Sequence, residues 1–286
     1  MTDIDQFESV FRSAIRDVYE YRTIKFRKFL LVTDMDQQES SVLANQLRQF
    51  FRLVHIEDTG QWVIANKDDF STTQGLLKIV DDHSPDLIFS YRNLHSRAWK
   101  YPHSLGEYLD VLIQKTDVPV FIIPHPQAGY ALDHAMQDCN RIMALTDHLS
   151  NDHDLVNHAV HFTQQKGRLY LVHIEDRDTF DRYMDAVSRI PGINTEEVEE
   201  KLSRELLKQP TNYIETVIDR LRQEQLDIEV EPVVNFGHHL TEFRKLIDQY
   251  QIDLLVINAK DNQQLAMHGL AYPLAVELRQ IPLLMI

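Results

Sequence analysis

The chain has 286 residues, 43% of them hydrophobic, a single cysteine and a formal net charge of -15. That hydrophobic share suits a buried core, and the lone Cys139 excludes an internal disulfide framework and a cysteine-based zinc site. The acidic balance opposes nucleic acid and anionic lipid surfaces, because both attractions begin with Lys and Arg meeting phosphate.

No apolar run approaches the roughly 20 residues needed to cross a bilayer. The opening MTDIDQFESVF has no basic region followed by an apolar stretch. A cytoplasmic protein is expected, with neither nucleic acid nor membrane as partner. The one locally basic run, RTIKFRK at 22–28, reads as a solvated helix end.

In chain order, residues 1–27 place Phe7, Val10, Phe11, Ile15, Val18 and Tyr19 on one side of an N-terminal helix. Such a helix would cover a face of the sheet left bare. KFLLVTD, an apolar run closed by Thr-Asp, predicts a buried parallel strand ending at Asp34. A polar helix is expected over 37–49, then a second strand at LVHIED (53–58). Only Thr59-Gly60 separates that run from 61–65, so no crossover helix fits, and a third strand here is antiparallel or absent. PDLIFS (85–90) and VPVFII (118–123) complete a first unit over 28–126.

Residues 127–138 read as a linker, after which the pattern returns. RIMALTD ends at Asp147, a helix follows over 152–165, and LVHIED recurs at 171–176. The helical insert 177–225 has no counterpart in the first unit. Asn194 and Glu197 stand at capping-box spacing, and Val198, Leu202 and Leu206 share one helical face. Pro210 is expected to break that helix, and Tyr213, Ile214, Val217 and Leu221 begin another stripe. DIEVEPVV (227–234) closed by Gly237, a helix over 240–250, IDLLVIN (252–258) and IPLLMI (281–286) finish a second unit over 139–286. Gly106 stands thirteen residues before Pro119, and Gly269 thirteen before Pro282.

Alternation of strands and helices predicts parallel sheets with helices on both faces. The expected fold class is therefore α/β, as two tandem doubly wound parallel five-stranded sheets with the first copy shortened. The two last strands are apolar enough to face each other within one chain, an intrachain pseudo-dimer, with a homodimer left open as a further assembly.

From about Lys28 onward the chain resembles the universal stress protein family, an adenine nucleotide alpha hydrolase-like class, in its tandem form. The residues that carry the resemblance are Asp34 and Asp147 after the first strands, and His55 and His173 within His-x-Glu-Asp. Gly237 and the glycine-led final helices complete it. The resemblance implies a stress-response or regulatory protein that acts through an unidentified protein partner and is not an enzyme. The alternative it leaves open is a sensor that keeps ATP, AMP or another small ligand in one crevice.

Nucleotide-binding members carry Gly-x2-Gly-x9-Gly-Ser/Thr after the fourth strand, where backbone N–H groups and a helix N-terminus cradle phosphate. Here Asn93 and Ser96 occupy the first two glycine positions before Gly106, and Glu107 the hydroxyl position. In the second unit Val256 and Ala259 precede Gly269, Asn258 is the nearer stand-in, and Leu270 replaces the hydroxyl. The resemblance thus implies a degenerate loop, with no certain cofactor and ATP or AMP held weakly. In nucleotide-binding members the aspartate matching Asp34 and Asp147 meets the base and ribose. Read from the residues alone, the same carboxylate equally caps its own turn.

His238, after Gly237 at a helix start, offers a contact to an anion. Asp154, His158 and His161 lie at helical spacing, but beside the buried face of Leu155, Ala159 and Phe162, which predicts a solvated face and no metal. Neither a Gly-x-Ser-x-Gly elbow nor a Gly-x4-Gly-Lys-Ser/Thr loop occurs, and no catalytic residue is assigned.

Overall fold

The computed structural model describes residues 18–53, 60–101, 103–146, 149–150, 152–260 and 271–286. Strand β1 (Lys28–Val32) is buried from Phe29 onward. Helix α1 (Gln37–Leu53) follows, its first turn capped by Asp36, whose Oδ1 accepts from the Gln38 and Glu39 amides. Strand β2 (Gln61–Ala65), helix α2 (Thr73–His83), strand β3 (Leu87–Ser90), helix α3 (Glu107–Lys115) and strand β4 (Val120–Ile122) complete the first set. The second set runs β5 (Arg141–Thr146), α4 (His153–Phe162), β6 (Arg168–Asp176), α5 (Arg177–Ser188), α6 (Thr195–Gln223) and β7 (Glu229–Gly237). It ends with α7 (His239–Tyr250), β8 (Leu254–Ile257), α8 (Ala271–Glu277) and β9 (Leu283–Met285). Among the described residues no helix is long and apolar enough to cross a membrane.

The nine strands of the described residues join one sheet in the order β2-β1-β3-β4-β9-β8-β5-β6-β7. Pairing is parallel within β1 to β4 and within β5 to β9. Among the described residues the one antiparallel seam joins β4 to β9, with Val120 opposite Met285, Phe121 opposite Leu284 and Ile122 opposite Leu283. The segments 118–123 and 281–286 therefore meet edge to edge, and each satisfies backbone groups that would otherwise stay open.

An aromatic core lies across the seam. Trp62 stacks on Phe89 at 5.3 Å, and Phe51 meets Phe29, Phe89 and Phe121. Phe162 of α4 reaches Phe51 at 5.9 Å and Phe121 at 5.7 Å, so the two strand sets share one core. Each such pair contributes roughly 0.5–1.5 kcal/mol beyond its buried area.

Several expectations need correction. Leu53, first residue of the earlier LVHIED, is the last residue of α1, and 54–59 lie outside the described residues. The second strand is β2 at 61–65, parallel to β1 in matched register. Helical periodicity explains the shift: Leu43, Ala44, Leu47, Phe50 and Phe51 all bury on one face, so α1 continues past 49. The later LVHIED lies within β6, whereas of the earlier copy only Leu53 is described, and it is helical. Among the described residues the first set has four strands, the shortened form expected, but the two sets make one nine-stranded sheet where two separate sheets were expected.

The N-terminal helix falls mostly outside the described residues, and 18–27 form no regular element. Tyr19 does not cover the first strand set. Its hydroxyl donates to Asn157 Oδ1 at 2.6 Å on α4, and its amide to Thr216 Oγ1 at 2.9 Å on α6. Pro210 does not end the insert helix either, since α6 runs through it from the cap at Asn194 to Gln223. Pro210 is buried with Tyr213, Ile214, Val217 and Leu221, and that apolar face outweighs the lost amide.

Candidate functional site

Parallel pairing brings the loops after β1, β3 and β4 to one end of the sheet, where doubly wound sheets place ligands. Asp34 comes from the first loop, His95, Ser96, Arg97, Trp99 and Lys100 from the second, and His125 and Gln127 from the third. Together they line a cleft of 460 Å³.

The floor is a closed hydrogen-bond set. The Tyr91 hydroxyl donates to Asp34 Oδ1 at 2.5 Å, accepts from the Asp34 amide at 3.2 Å, and meets Thr33 Oγ1 at 2.7 Å. The His95 amide donates to Asp34 Oδ2 at 2.7 Å. Both carboxylate oxygens thus serve the chain's own loops. Burial, then the neighbouring carboxylate, pushes the Tyr91 phenol well above its ordinary range, so it stays a donor.

His125 is buried, stacked on Trp99 at 4.7 Å and edge-on to Tyr91 at 4.8 Å. Its Nδ1 accepts from the Gln127 amide at 3.2 Å, which places the neutral ring's proton on Nε2. Burial holds the imidazole down at about 4, despite the opposing pull of Asp34, so it is neutral at neutral pH. Arg97 and Lys100 on the rim form no ion pair among the described residues, and the Lys100 ammonium sits 5.6 Å over the Trp99 ring. In a chain of net charge -15, the rim is locally cationic.

The other expected residues divide sharply. Asn93 takes φ +61, its amide donates to Leu105 O at 2.7 Å, and its side chain donates to Ser104. Gly106 takes φ +91, and a Cβ there would lie 2.7 Å from the Asn93 Cα. The surviving glycine thus lets the loop fold on itself, and its close neighbour is that loop's own backbone. Ser96 Oγ accepts from the Ala98 amide at 3.0 Å. Glu107 opens α3, exposed.

In the second strand set, Asp147, like His55 in the first and Gly269 later, lies outside the described residues. His173 is buried, with Nε2 2.9 Å from Glu175 Oε1. Asn258 Nδ2 donates to Asp152 Oδ2 at 2.5 Å, while Asp152 Oδ1 caps α4 through the Leu155 amide. The Ala259 amide donates to Ile286 O at 2.7 Å. Gly237 ends β7, and exposed His238 stands 3.5 Å from Asp178. Among the described residues His173, Asn258 and Asp152 are thus engaged with the chain's own groups. Of the expected residues that are described, only Asp34 and Ser96 line the cleft. Sequence reasoning missed Tyr91, His95, Arg97, Trp99, Lys100, His125 and Gln127; the available signal was the Pro-His pair, Pro124 and His125, that closes the apolar run 118–123.

The face carrying Asp154, His158 and His161 is not simply solvated. Phe26 packs on both rings, at 6.1 and 5.3 Å, and burial lowers both imidazoles, His161 to about 4. Among the described residues no cluster suits a metal ion.

No family model matches this chain. No curated protein matches it either. Solved structures do. A functionally unknown protein from Pseudomonas aeruginosa aligns at TM-score 0.50 and 13% identity, over 91% of this chain and 92% of its own. A universal stress protein from Archaeoglobus fulgidus aligns at TM-score 0.50 and 12% identity, over 90% of this chain and 97% of its own. The fold is universal stress protein-like. At such identity the likeness concerns architecture, and function must be argued from the site.

Proposed function

We propose that the chain is a universal stress protein-like regulator of the cytoplasm that acts by binding a protein partner, not by catalysis. On this reading 28–126 and 139–286 are two degenerate copies of one unit, joined by 127–138 and fused through the β4–β9 seam as an intrachain pseudo-dimer. The observation that carries it is the state of Asp34. Both of its oxygens are taken by Tyr91 and His95, and Asn93 and Gly106 close on each other where a phosphate would approach. A triphosphate then finds neither a free carboxylate for its nucleoside end nor an open backbone nest.

The cationic rim of Arg97 and Lys100 favours a second reading, a sensor of a compact adenine nucleotide such as AMP in this one cleft. Thermal unfolding with adenosine, AMP, ADP and ATP, each with magnesium, separates the two, because a ligand of the native state raises Tm. The regulator reading expects at most a small AMP shift, no gain from further phosphates and no phosphate release. Micromolar ATP binding that weakens on Asp34→Ala would transfer the function to the sensor.

A further inference from the structure

The free charges of the Asp34 cleft are both positive. Tyr91 and the His95 amide hold the two oxygens of Asp34, and the His95 ring packs against Phe70 at 5.1 Å and Tyr108 at 5.2 Å. Among the described residues no ion pair or side-chain hydrogen bond engages Arg97 or Lys100. The Lys100 ammonium and the His125 imidazole both lie against the Trp99 ring, at 5.6 and 4.7 Å. His125 is 5% exposed and lines the cleft, and its Nε2–H has no acceptor among the described residues. Arg279 Nη1 donates to Trp99 O at 3.2 Å, which ties the loop carrying Trp99 to the chain after α8.

A buried donor and two open cations around one cavity call for an anion. Phosphate is a poor match. Its usual partners are backbone amides, and here the His95 amide is committed to Asp34 while Asn93 and Gly106 close on each other. Its second charge would also stand beside Asp34. A carboxylate needs only side-chain donors and carries one charge. Arg97 and Lys100 are exposed, and exposed ion pairs contribute little singly, so a small free acid gains little from them. An acidic peptide adds contact with Trp99 and the loop around it. Against a net charge of -15 the patch acts at short range, and it fixes where such a segment lands.

We propose that this cleft grips the protein partner of the regulator reading, on which the inference rests, by taking an Asp or Glu side chain of an acidic segment. His125 Nε2 donates to the carboxylate, and Arg97 and Lys100 flank it from the rim.

The test titrates the full chain into a fluorescein-labelled peptide of alternating Gly and Glu, with its Gln counterpart as control, and follows anisotropy. The Glu peptide should bind, less tightly as salt rises, and the Gln peptide at least about tenfold more weakly. Arg97→Gln combined with Lys100→Gln should weaken the Glu peptide roughly tenfold. Both residues are exposed, so this variant keeps the fold. His125→Phe removes a hydrogen bond to a charge and should also cost at least about tenfold. Should that variant fail to fold, the double variant decides. Arg204→Gln with Lys208→Gln takes the same charge from α6, outside the cleft lining, and should change nothing. Equal binding of the two peptides, no binding of either, equal loss in the two double variants, or full binding by folded His125→Phe overturns the inference. Each of these leaves the regulator reading in place with its partner elsewhere. Micromolar ATP binding overturns that reading itself.

Discussion

Tyr91 holds the floor of the cleft, because one hydroxyl serves Thr33 and both ends of Asp34. Tyr91→Phe leaves those groups short of a partner in a buried setting and should cost about 1–3 kcal/mol in urea unfolding. Gly106→Ala forces a side chain into left-handed φ and against the Asn93 backbone, and should cost at least about 1–3 kcal/mol in the same assay. His125 makes the molecule pH-sensitive. Its folded pKa of about 4, shared by His161, lies below the roughly 6.5 of an unfolded histidine. Between those values the unfolded chain binds more protons, so stability rises with pH and is lost as pH falls from 6.5 towards 4, by at most about 1.4 kcal/mol per pH unit for each ring. Asp110, raised by burial to about 6, works in the opposite sense over the lower part of that range. Unfolding free energies at pH 7, 6 and 5 should therefore fall in order, and more shallowly in His125→Phe. An unchanged slope in that variant would remove His125 from the account.

At the scale of elements, α6 sets a local rule against a packing gain. An interior proline costs about 3 kcal/mol against alanine, whereas the two ring carbons lost in Pro210→Ala bury about 1.6 kcal/mol. The variant should thus be more stable, with Tm raised by a few degrees in circular dichroism; a lowered Tm would show that the buried ring packs better than its area suggests. The same balance shows what could be read in advance. Strands β1, β5, β8 and β9 are short apolar runs with no helical stripe of their own, and they emerged where expected. LVHIED at 53–58 follows a helix whose buried face extends through Phe51, and that face decided Leu53. The strand at 61–65 was expected antiparallel or absent, and its half-buried residues gave no sign of the parallel pairing with β1. In the cleft Asp34 was legible because it closes its own strand. His125 and Trp99 were not, since their stacking joins loops after different strands and no local spacing records it.

For the whole molecule the β4–β9 seam is the decisive contact. Leu284 and Phe121 are fully buried opposite each other, and separation would open two apolar sheet edges at once. Residues 1–126 and 127–286 expressed apart should aggregate, while co-expressed they should purify as one complex. Two soluble, monomeric halves would show that the seam is dispensable. The seam also fixes a polarity. Because it is, among the described residues, the only antiparallel pairing, the carboxyl ends of β1, β3 and β4 open at one pole of the sheet and those of β5 to β9 at the other. The molecule thus turns its two sets of strand-end loops in opposite directions. A ligand in the Asp34 cleft would therefore lie a full strand length away from the loops that end β5, β6 and β8.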